Sequence, residues 1–291
     1  MTDPLPSPVW DLQAELGEGP VWLERDKALW FVDIKKQQIH RFEPATGARN
    51  SWSAPEQLGF LLPAEGGGFV AGLQSGLYHF DELNSSFELI VEVEPDLPTN
   101  RLNDGVVDPT GRLWFGTMDN GEKAKTGAFY CFVGGKLTRT KIDGIAITNG
   151  PAVSPDGRIL YVVDTLKGTI DAAPILTDGE LGERRPFVRI DPKDGHPDGP
   201  TIDSEGCLWI GLYGGWAARR YSPSGQLLDT VRFPVANITK IAFGGPNLRD
   251  VYATTARQML TPEVIAKQPQ IGDLFHFRAD VPGVPCPLVR Y

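Results

Sequence analysis

Cysteine and histidine are scarce in this sequence. Its 291 residues include 3 Cys and 4 His, and the cysteines, Cys131, Cys207 and Cys286, are far apart with no Cys-x-x-Cys pair. An odd number of widely spaced cysteines does not indicate a disulfide framework. We therefore expect idle or buried thiols in a reducing compartment.

The common catalytic motifs are also missing. The sequence contains no Gly-x-Ser-x-Gly elbow, no His-Glu-x-x-His, no Walker loop and no twelve-residue acidic calcium loop. Three of the histidines, His40, His79 and His276, lie in strand-like patterns beside aromatic or basic residues. We interpret them as structural, so a Ser-His-Asp triad has little support.

Long apolar runs and basic clusters are absent as well. No segment approaches the ~18 apolar residues of a membrane span, and residues 1–6 show neither a basic nor an apolar signal region. The formal net charge is −9. These features predict a cytoplasmic protein and argue against nucleic acid or a membrane surface as a partner.

What the sequence does contain is a strand-like phrase that occurs six times. Aligned on positions 30, 70, 114, 161, 209 and 252, the copies are 40, 44, 47, 48 and 43 residues apart. Repeats of this period in a β-rich chain are typical of propeller blades. The sequence therefore predicts an all-β, six-bladed β-propeller, with residues 1–291 as a single domain because no linker-like segment interrupts them.

Turn signals give the order of strands within a blade. Tetrads at 108–111, 154–157 and 203–206 combine Asp or Ser with Gly and predict hairpins between the first and second strands. We expect the termini to close one shared blade, with residues 9–12 pairing beside 272–277 and 287–290. A closed ring without an exposed strand edge predicts a monomer.

Polar residues stand at the start of the predicted innermost strands. Glu18, Asn103 with Asp104, Asn149 and Asp198 recur as an acid or amide followed by glycine. In a closed ring these side chains would converge at one end of the channel, where oxygen donors suit a hard divalent cation. The alternative is that each pair is an ordinary Asx-Gly turn, although recurrence at equivalent positions favours the cation.

Several phrases together resemble a known family. They are Gly-Glu-Gly-Pro-Val-Trp at 17–22, Arg-Leu-Asn-Asp-Gly at 101–105, Asn-Gly at 149–150, Pro-Asp-Gly at 197–199 and Phe-Gly-Gly at 243–245. Between about residues 16 and 277 the chain looks like the sugar-acid lactonases that include gluconolactonase, xylonolactonase and regucalcin, the senescence marker protein.

The resemblance implies one catalytic divalent metal on the propeller axis. The family's metal ligands fall on Glu18, Asn149 and Asp198, and its substrate-contacting residues fall on Arg101, Asn103 and, in the loop after blade three, Glu122. Because all the ligands are oxygens, Ca²⁺, Mg²⁺, Mn²⁺, Fe²⁺ and Zn²⁺ are all compatible with the site. The loop at 119–127 looks shorter than in animal members, which predicts a more open pocket.

The implied reaction is hydrolysis of an aldonolactone in oxidative sugar catabolism. The metal would polarise the lactone carbonyl, and Asp198 would act both as a ligand and as the general base for water. Two other functions stay open at this point: a metal-dependent esterase or phosphotriesterase of the same fold, and a non-catalytic calcium-binding propeller. The sequence also leaves open whether Trp216 stacks on a sugar or packs at the surface.

Overall fold

The computed structural model describes residues 5–177 and 179–291, so the targeting expectation for residues 1–6 falls mostly outside it. Its strands form six four-stranded antiparallel sheets. The sheets are arranged in a ring, because the first strand of each sheet contacts the first strands of both neighbouring sheets. The predicted six-bladed β-propeller is therefore confirmed.

Each blade is a simple up-and-down sheet except the last. Blade one contains β2 (Gly17–Leu23), β3 (Ala28–Asp33), β4 (Gln38–Glu43) and β5 (Ala48–Ser53). Blade two contains β6 (Leu58–Pro63), β7 (Phe69–Leu73), β8 (Gly76–Asp81) and β9 (Ser86–Glu92). Blade three contains β10 (Asn100–Val107), β11 (Leu113–Asp119), β12 (Gly127–Val133) and β13 (Lys136–Ile145).

The second half of the ring repeats this plan. Blade four contains β14 (Thr148–Val153), β15 (Ile159–Asp164), β16 (Thr169–Pro174) and β17 (Arg185–Arg189). Blade five contains β18 (His196–Ile202), β19 (Leu208–Tyr213), β20 (Ala217–Tyr221) and β21 (Leu227–Arg232). Blade six contains β22 (Ile238–Gly244), β23 (Asp250–Thr255), β24 (Leu274–Arg278) and β1 (Ser7–Trp10).

The repeated phrase is the second strand of every blade. Strands β3, β7, β11, β15, β19 and β23 carry it, and they are almost wholly buried between neighbouring blades. The first strands line the axis, whereas outer strands such as β5 and β21 are largely exposed. The core therefore lies between the blades, where β-branched and aromatic side chains of adjacent sheets pack together.

The predicted turns do join first and second strands, and two of them also hold a tryptophan. Asp108 accepts a hydrogen bond from the Trp114 indole, and Asp203 accepts one from Trp209, each over 3.0 Å. A buried indole N–H needs an acceptor. The turn aspartate supplies one, which links the turn chemistry of these blades to packing within the core.

The ring is closed by the N-terminal strand. Strand β1 pairs with β24, so Ser7 lies opposite His276 and Trp10 opposite Leu274. Residues 287–290 depart from the expectation, because both edges of β24 are already occupied by β1 and β23. Val289 instead bridges Ala64 in blade two.

Helix is almost absent. The described residues contain the six-residue helix α1 (Pro262–Lys267) and one short 3-10 turn (Pro192–Asp194). None of the helices in this part of the chain has the length and apolar character needed to cross a bilayer.

Closure by β1 predicts a large effect of Trp10. Its ring contacts Phe31, His40 and Phe42, with centroids 5.3–6.3 Å apart. Trp10→Ala should lower the free energy of unfolding by about 3–5 kcal/mol, because it leaves a cavity where blades six and one meet. Urea unfolding measures the loss. Trp216→Ala, at a side chain 41% exposed, is the matched control with an expected loss of about 1 kcal/mol or less; equal losses in both variants would contradict this account.

Candidate active site

Each inner strand carries an irregularity at the same level of the channel. The pairing register shifts between positions 18 and 21, 58 and 60, 102 and 105, 149 and 152, 197 and 200, and 238 and 241. A bulge of this kind re-aims side chains and is common beside functional sites. Here six of them encircle the axis, and the polar residues singled out in the sequence lie at or directly beside four.

All six residues expected to form the site line one cavity. Glu18, Arg101, Asn103, Glu122, Asn149 and Asp198 contribute to its wall. The cavity has a volume of about 280 Å³, at the small end of the range for ligand pockets. The structure thus brings together residues from blades one, three, four and five.

Two buried carboxylates lie close together in the wall of this cavity. Glu18 is 4% exposed and Asp198 6% exposed. Burial raises the pKa of Glu18 to about 7, with a further contribution from the charge of Asp104. Burial also raises the pKa of Asp198 well above its usual range, followed by repulsion from Glu18 and Asp104 and a hydrogen bond with Glu18. The pair therefore competes for a proton unless a cation neutralises it.

Asn149 is held on both sides of its amide. Its nitrogen donates to the hydroxyl of Thr165 over 2.9 Å, and its oxygen accepts from the Asn103 amide over 3.0 Å. This arrangement determines which way the amide points. The Asn149 oxygen consequently lies on the side of Asn103, as a buried acceptor in the wall of the cavity that Glu18 and Asp198 also line.

Arg101 is a buried cation at the same site. Its guanidinium donates to the Asn103 side chain, to the Leu102 carbonyl and to Asn120. Burial lowers the pKa of Arg101 to about 10, and the carboxylates of Glu122, Glu18 and Asp198 act against that fall. Arg101 therefore stays charged at neutral pH and balances part of the negative charge in the cavity.

Glu122 approaches the cavity from the loop that follows β11. Its backbone is in the left-handed region, with φ of 59°, and its carboxylate accepts a hydrogen bond of 2.6 Å from Gln258 in blade six. The contact bridges the mouth of the channel between blades three and six. The expectation that the pocket is more open than in the animal members stays a prediction.

Asp104 does not line this cavity, although the sequence grouped it with the other polar residues. It is 1% exposed and pairs with Lys240, whose ammonium lies 2.6 Å from its carboxylate. Its second oxygen accepts from the Gly150 amide over 3.1 Å. Asp104 therefore has its own counter-ion below the cavity.

Several wall residues were missed by sequence reasoning. They are Leu16, Met118, Ile147, Thr165, Leu166, His196, Tyr213, Gln258 and Met259. His196 could have been considered, because it lies two residues before Asp198 at the start of β18. Gln258 carries no such signal, since its position depends on the course of a loop. Trp216 lies outside the wall.

The donor set fits a hard cation if an amide oxygen completes the ligands that the two carboxylates begin. Within residues 5–177 and 179–291, no group of three His, Cys, Asp or Glu side chains is arranged to hold a metal ion. The carboxylates of Glu18 and Asp198 could do so together with an amide oxygen, and Asn149 presents one beside them. Oxygen donors of this kind suit Ca²⁺, Mg²⁺ and similar ions.

Fold and site define a class: a six-bladed propeller with a buried, oxygen-rich pocket at one end of its axis. Residues 16–257 match the SMP-30/gluconolactonase/LRE-like region, and the chain belongs to this family. It is 36% identical to a 6-deoxy-6-sulfogluconolactonase of Pseudomonas putida, over 94% of each chain.

Two further comparisons agree with that membership. An L-arabinolactonase of Azospirillum brasilense is 36% identical, over 91% of this chain and 89% of that protein. A solved structure of a calcium-binding protein, regucalcin, from Agrobacterium tumefaciens has a TM-score of 0.94 at 30% identity. That comparison covers 98% of this chain and 97% of the regucalcin chain.

The raised pKa values predict that the metal-free protein loses stability as pH rises. An acid whose pKa is higher in the folded state favours folding in its protonated form, so the loss accumulates between its usual value, near 4.5 for Glu18, and about 7. At pH 8 Glu18→Gln should be more stable than the parent by up to about 3 kcal/mol.

Urea unfolding of chelator-treated protein at pH 5 and pH 8 measures this difference. Glu92→Gln, on the exposed end of β9, is the matched control and should leave the pH dependence unchanged. If Glu18→Gln and the parent showed the same pH dependence, burial of the Glu18 carboxylate would not be the cause.

Proposed function

We propose that this protein is a divalent-metal-dependent hydrolase that converts a sugar-acid lactone, an aldonolactone, to the aldonic acid. The observation that carries the proposal is the pair of buried carboxylates, Glu18 and Asp198, in a cavity of about 280 Å³. Two buried acids with raised pKa values in a small pocket are typical of a functional site. The names of the lactonase relatives support lactones as the substrate class.

Glu18, Asn149 and Asp198 would hold the cation. When bound, a divalent cation supplies Lewis acidity at the lactone carbonyl. Cation binding would also displace the proton for which Glu18 and Asp198 compete, leaving both carboxylates ionised. The family includes proteins named for calcium binding, but hard oxygen ligands do not select among Ca²⁺, Zn²⁺, Fe²⁺, Mn²⁺ and Mg²⁺.

Asp198 is the proposed general base. Its ionised carboxylate accepts a proton from water as the water oxygen bonds to the carbonyl carbon, and the ring C–O bond then breaks. The proton returns to the departing ring oxygen, which becomes a hydroxyl of the aldonic acid. A lactone is reactive enough to need no covalent nucleophile, which is consistent with the lack of a triad motif.

Arg101, Asn103 and Glu122 would bind and orient the lactone. Arg101 is fixed by Asn103 and Asn120, so its guanidinium can meet an incoming oxygen with little rearrangement. Glu122 can accept hydrogen bonds from sugar hydroxyls at the entrance. Together these residues position the ring ester for attack by water. The cytoplasmic location and the monomeric state stay predictions from the sequence.

The proposal predicts metal-dependent lactone hydrolysis that Asp198 controls. Chelator-treated protein should show no turnover of pentono- and hexono-lactones above the spontaneous rate, and re-addition of a single divalent metal should restore it. Asp198→Asn should lower kcat by at least ~100-fold, because it removes the general base and one metal ligand. Acid release, corrected for the spontaneous reaction, is the measurement.

Asp143→Asn is the matched control, since it makes the same chemical change at an exposed ion pair with Arg139 on an outer strand. It should retain the parent's turnover. Turnover of aryl esters or phosphotriesters in place of lactones would favour the esterase alternative. Cation binding without turnover of any of these substrates would favour a calcium-binding propeller.

A further inference from the structure

Lys240 and its partner Asp104 together contact the backbone beside two of the proposed metal ligands: Lys240 packs against the residue after Asp198, and Asp104 bonds the residue after Asn149. Lys240 sits at the bulge of β22 in blade six, is 7% exposed, and donates to Asp104 of blade three over 2.6 Å. Neither residue is among the ligands that the family resemblance implies. Their pairing joins opposite sides of the channel, because blades three and six are three places apart in a ring of six.

The stem of Lys240 packs against Gly199, the residue after Asp198. A β-carbon at Gly199 would lie 2.7 Å from three carbons of the Lys240 side chain. No side chain larger than hydrogen fits there without displacing the lysine. Gly199 and Lys240 therefore fit each other closely, and the lysine stem supports the backbone that carries Asp198.

The carboxylate of Asp104 supports the backbone that carries Asn149. One oxygen accepts from Lys240 and from the Gly105 amide, and the other accepts from the amide of Gly150, the residue after Asn149. Charge-assisted bonds to a buried carboxylate are strong and directional. The ion pair therefore connects the strands that bear Asn149 and Asp198.

The pair also lies where the channel divides. Above it is the cavity lined by Glu18 and Asp198. Below it is a second, mostly apolar cavity of about 380 Å³, lined by Lys240, Gly105 and the C-terminal residues 284–287. The Asp104 carboxylate raises the pKa of Glu18, whereas the Lys240 ammonium lowers it. The intact pair therefore adds little net charge to the site.

We propose that Lys240 is a positioning residue that, with Asp104, forms a charge-neutral floor beneath the metal site. It holds the strands of Asn149 and Asp198 in place and keeps the Asp104 carboxylate away from the cation. The inference rests on the proposed function for the presence of that cation. Lys240 acts through its neighbours and does not itself contact the substrate.

The two single variants should differ in their effect on cation affinity. Asp104→Asn leaves a buried lysine charge unpaired near the cation, so the Kd for Ca²⁺ or Mn²⁺ should rise by at least about tenfold. Lys240→Met keeps an unbranched stem against Gly199 but releases the Asp104 carboxylate. Its Kd should stay equal to the parent's or fall, while kcat for the lactone drops by at least about tenfold, because the released carboxylate competes for the cation.

The double variant Asp104→Asn/Lys240→Met tests whether an unpaired charge causes the change in Kd. It removes both charges while keeping an amide oxygen for Gly150 and the unbranched stem, so its Kd should return to within about threefold of the parent's. Isothermal titration with CaCl₂ or MnCl₂ on chelator-treated full-length protein gives the Kd values. Circular dichroism and urea unfolding confirm that each variant is folded.

Three results would overturn the inference while leaving the proposed function intact. If both single variants weakened binding alike, the pair would be merely structural. If the double variant bound as weakly as Asp104→Asn, Asp104 would be a ligand itself. If Asp104→Asn bound like the parent, the floor would not act on the cation at all. A parent protein that bound neither ion would instead overturn the proposed function, and this inference with it.

Discussion

Closure of the ring is the constraint on which the rest of this structure depends. Each blade buries its faces only against its neighbours, so the first and last blades must meet as tightly as any other pair. Strand β1 achieves this by completing the sheet of β22, β23 and β24 from the opposite end of the chain. Once closed, the ring fixes the distances between inner strands that are remote in sequence.

The site is a consequence of that closure and of the bulges that interrupt every inner strand. Polar side chains at the bulges are buried in the cavity wall, where like charges lie close together. This burial raises the pKa values of Glu18 and Asp198. Arg101 and Lys240 supply compensating positive charge. Regular strands without bulges would have kept these side chains in the alternating pattern of a packed sheet.

The same electrostatic arrangement links stability to function. A cation that binds Glu18, Asn149 and Asp198 would relieve the repulsion that destabilises the metal-free pocket, so binding and folding would support each other. The charge-neutral pair beneath the pocket would limit how many carboxylates such a cation could reach. Buried like charges lower the stability of the metal-free fold at the place where the proposed site lies.

Much of this protein could be predicted from its sequence. Six aromatic strand phrases at blade-sized spacing establish the propeller, and acid or amide residues before glycine identify the inner strands that carry Glu18, Asn103, Asn149 and Asp198. Both patterns are local, since they depend on strand periodicity and turn chemistry. Only the tertiary structure decided which distant groups meet. Gln258 contacts Glu122, and Asp104 pairs with Lys240 and does not line the cavity. Such contacts depend on ring closure and loop course, which leave no periodic trace in the chain.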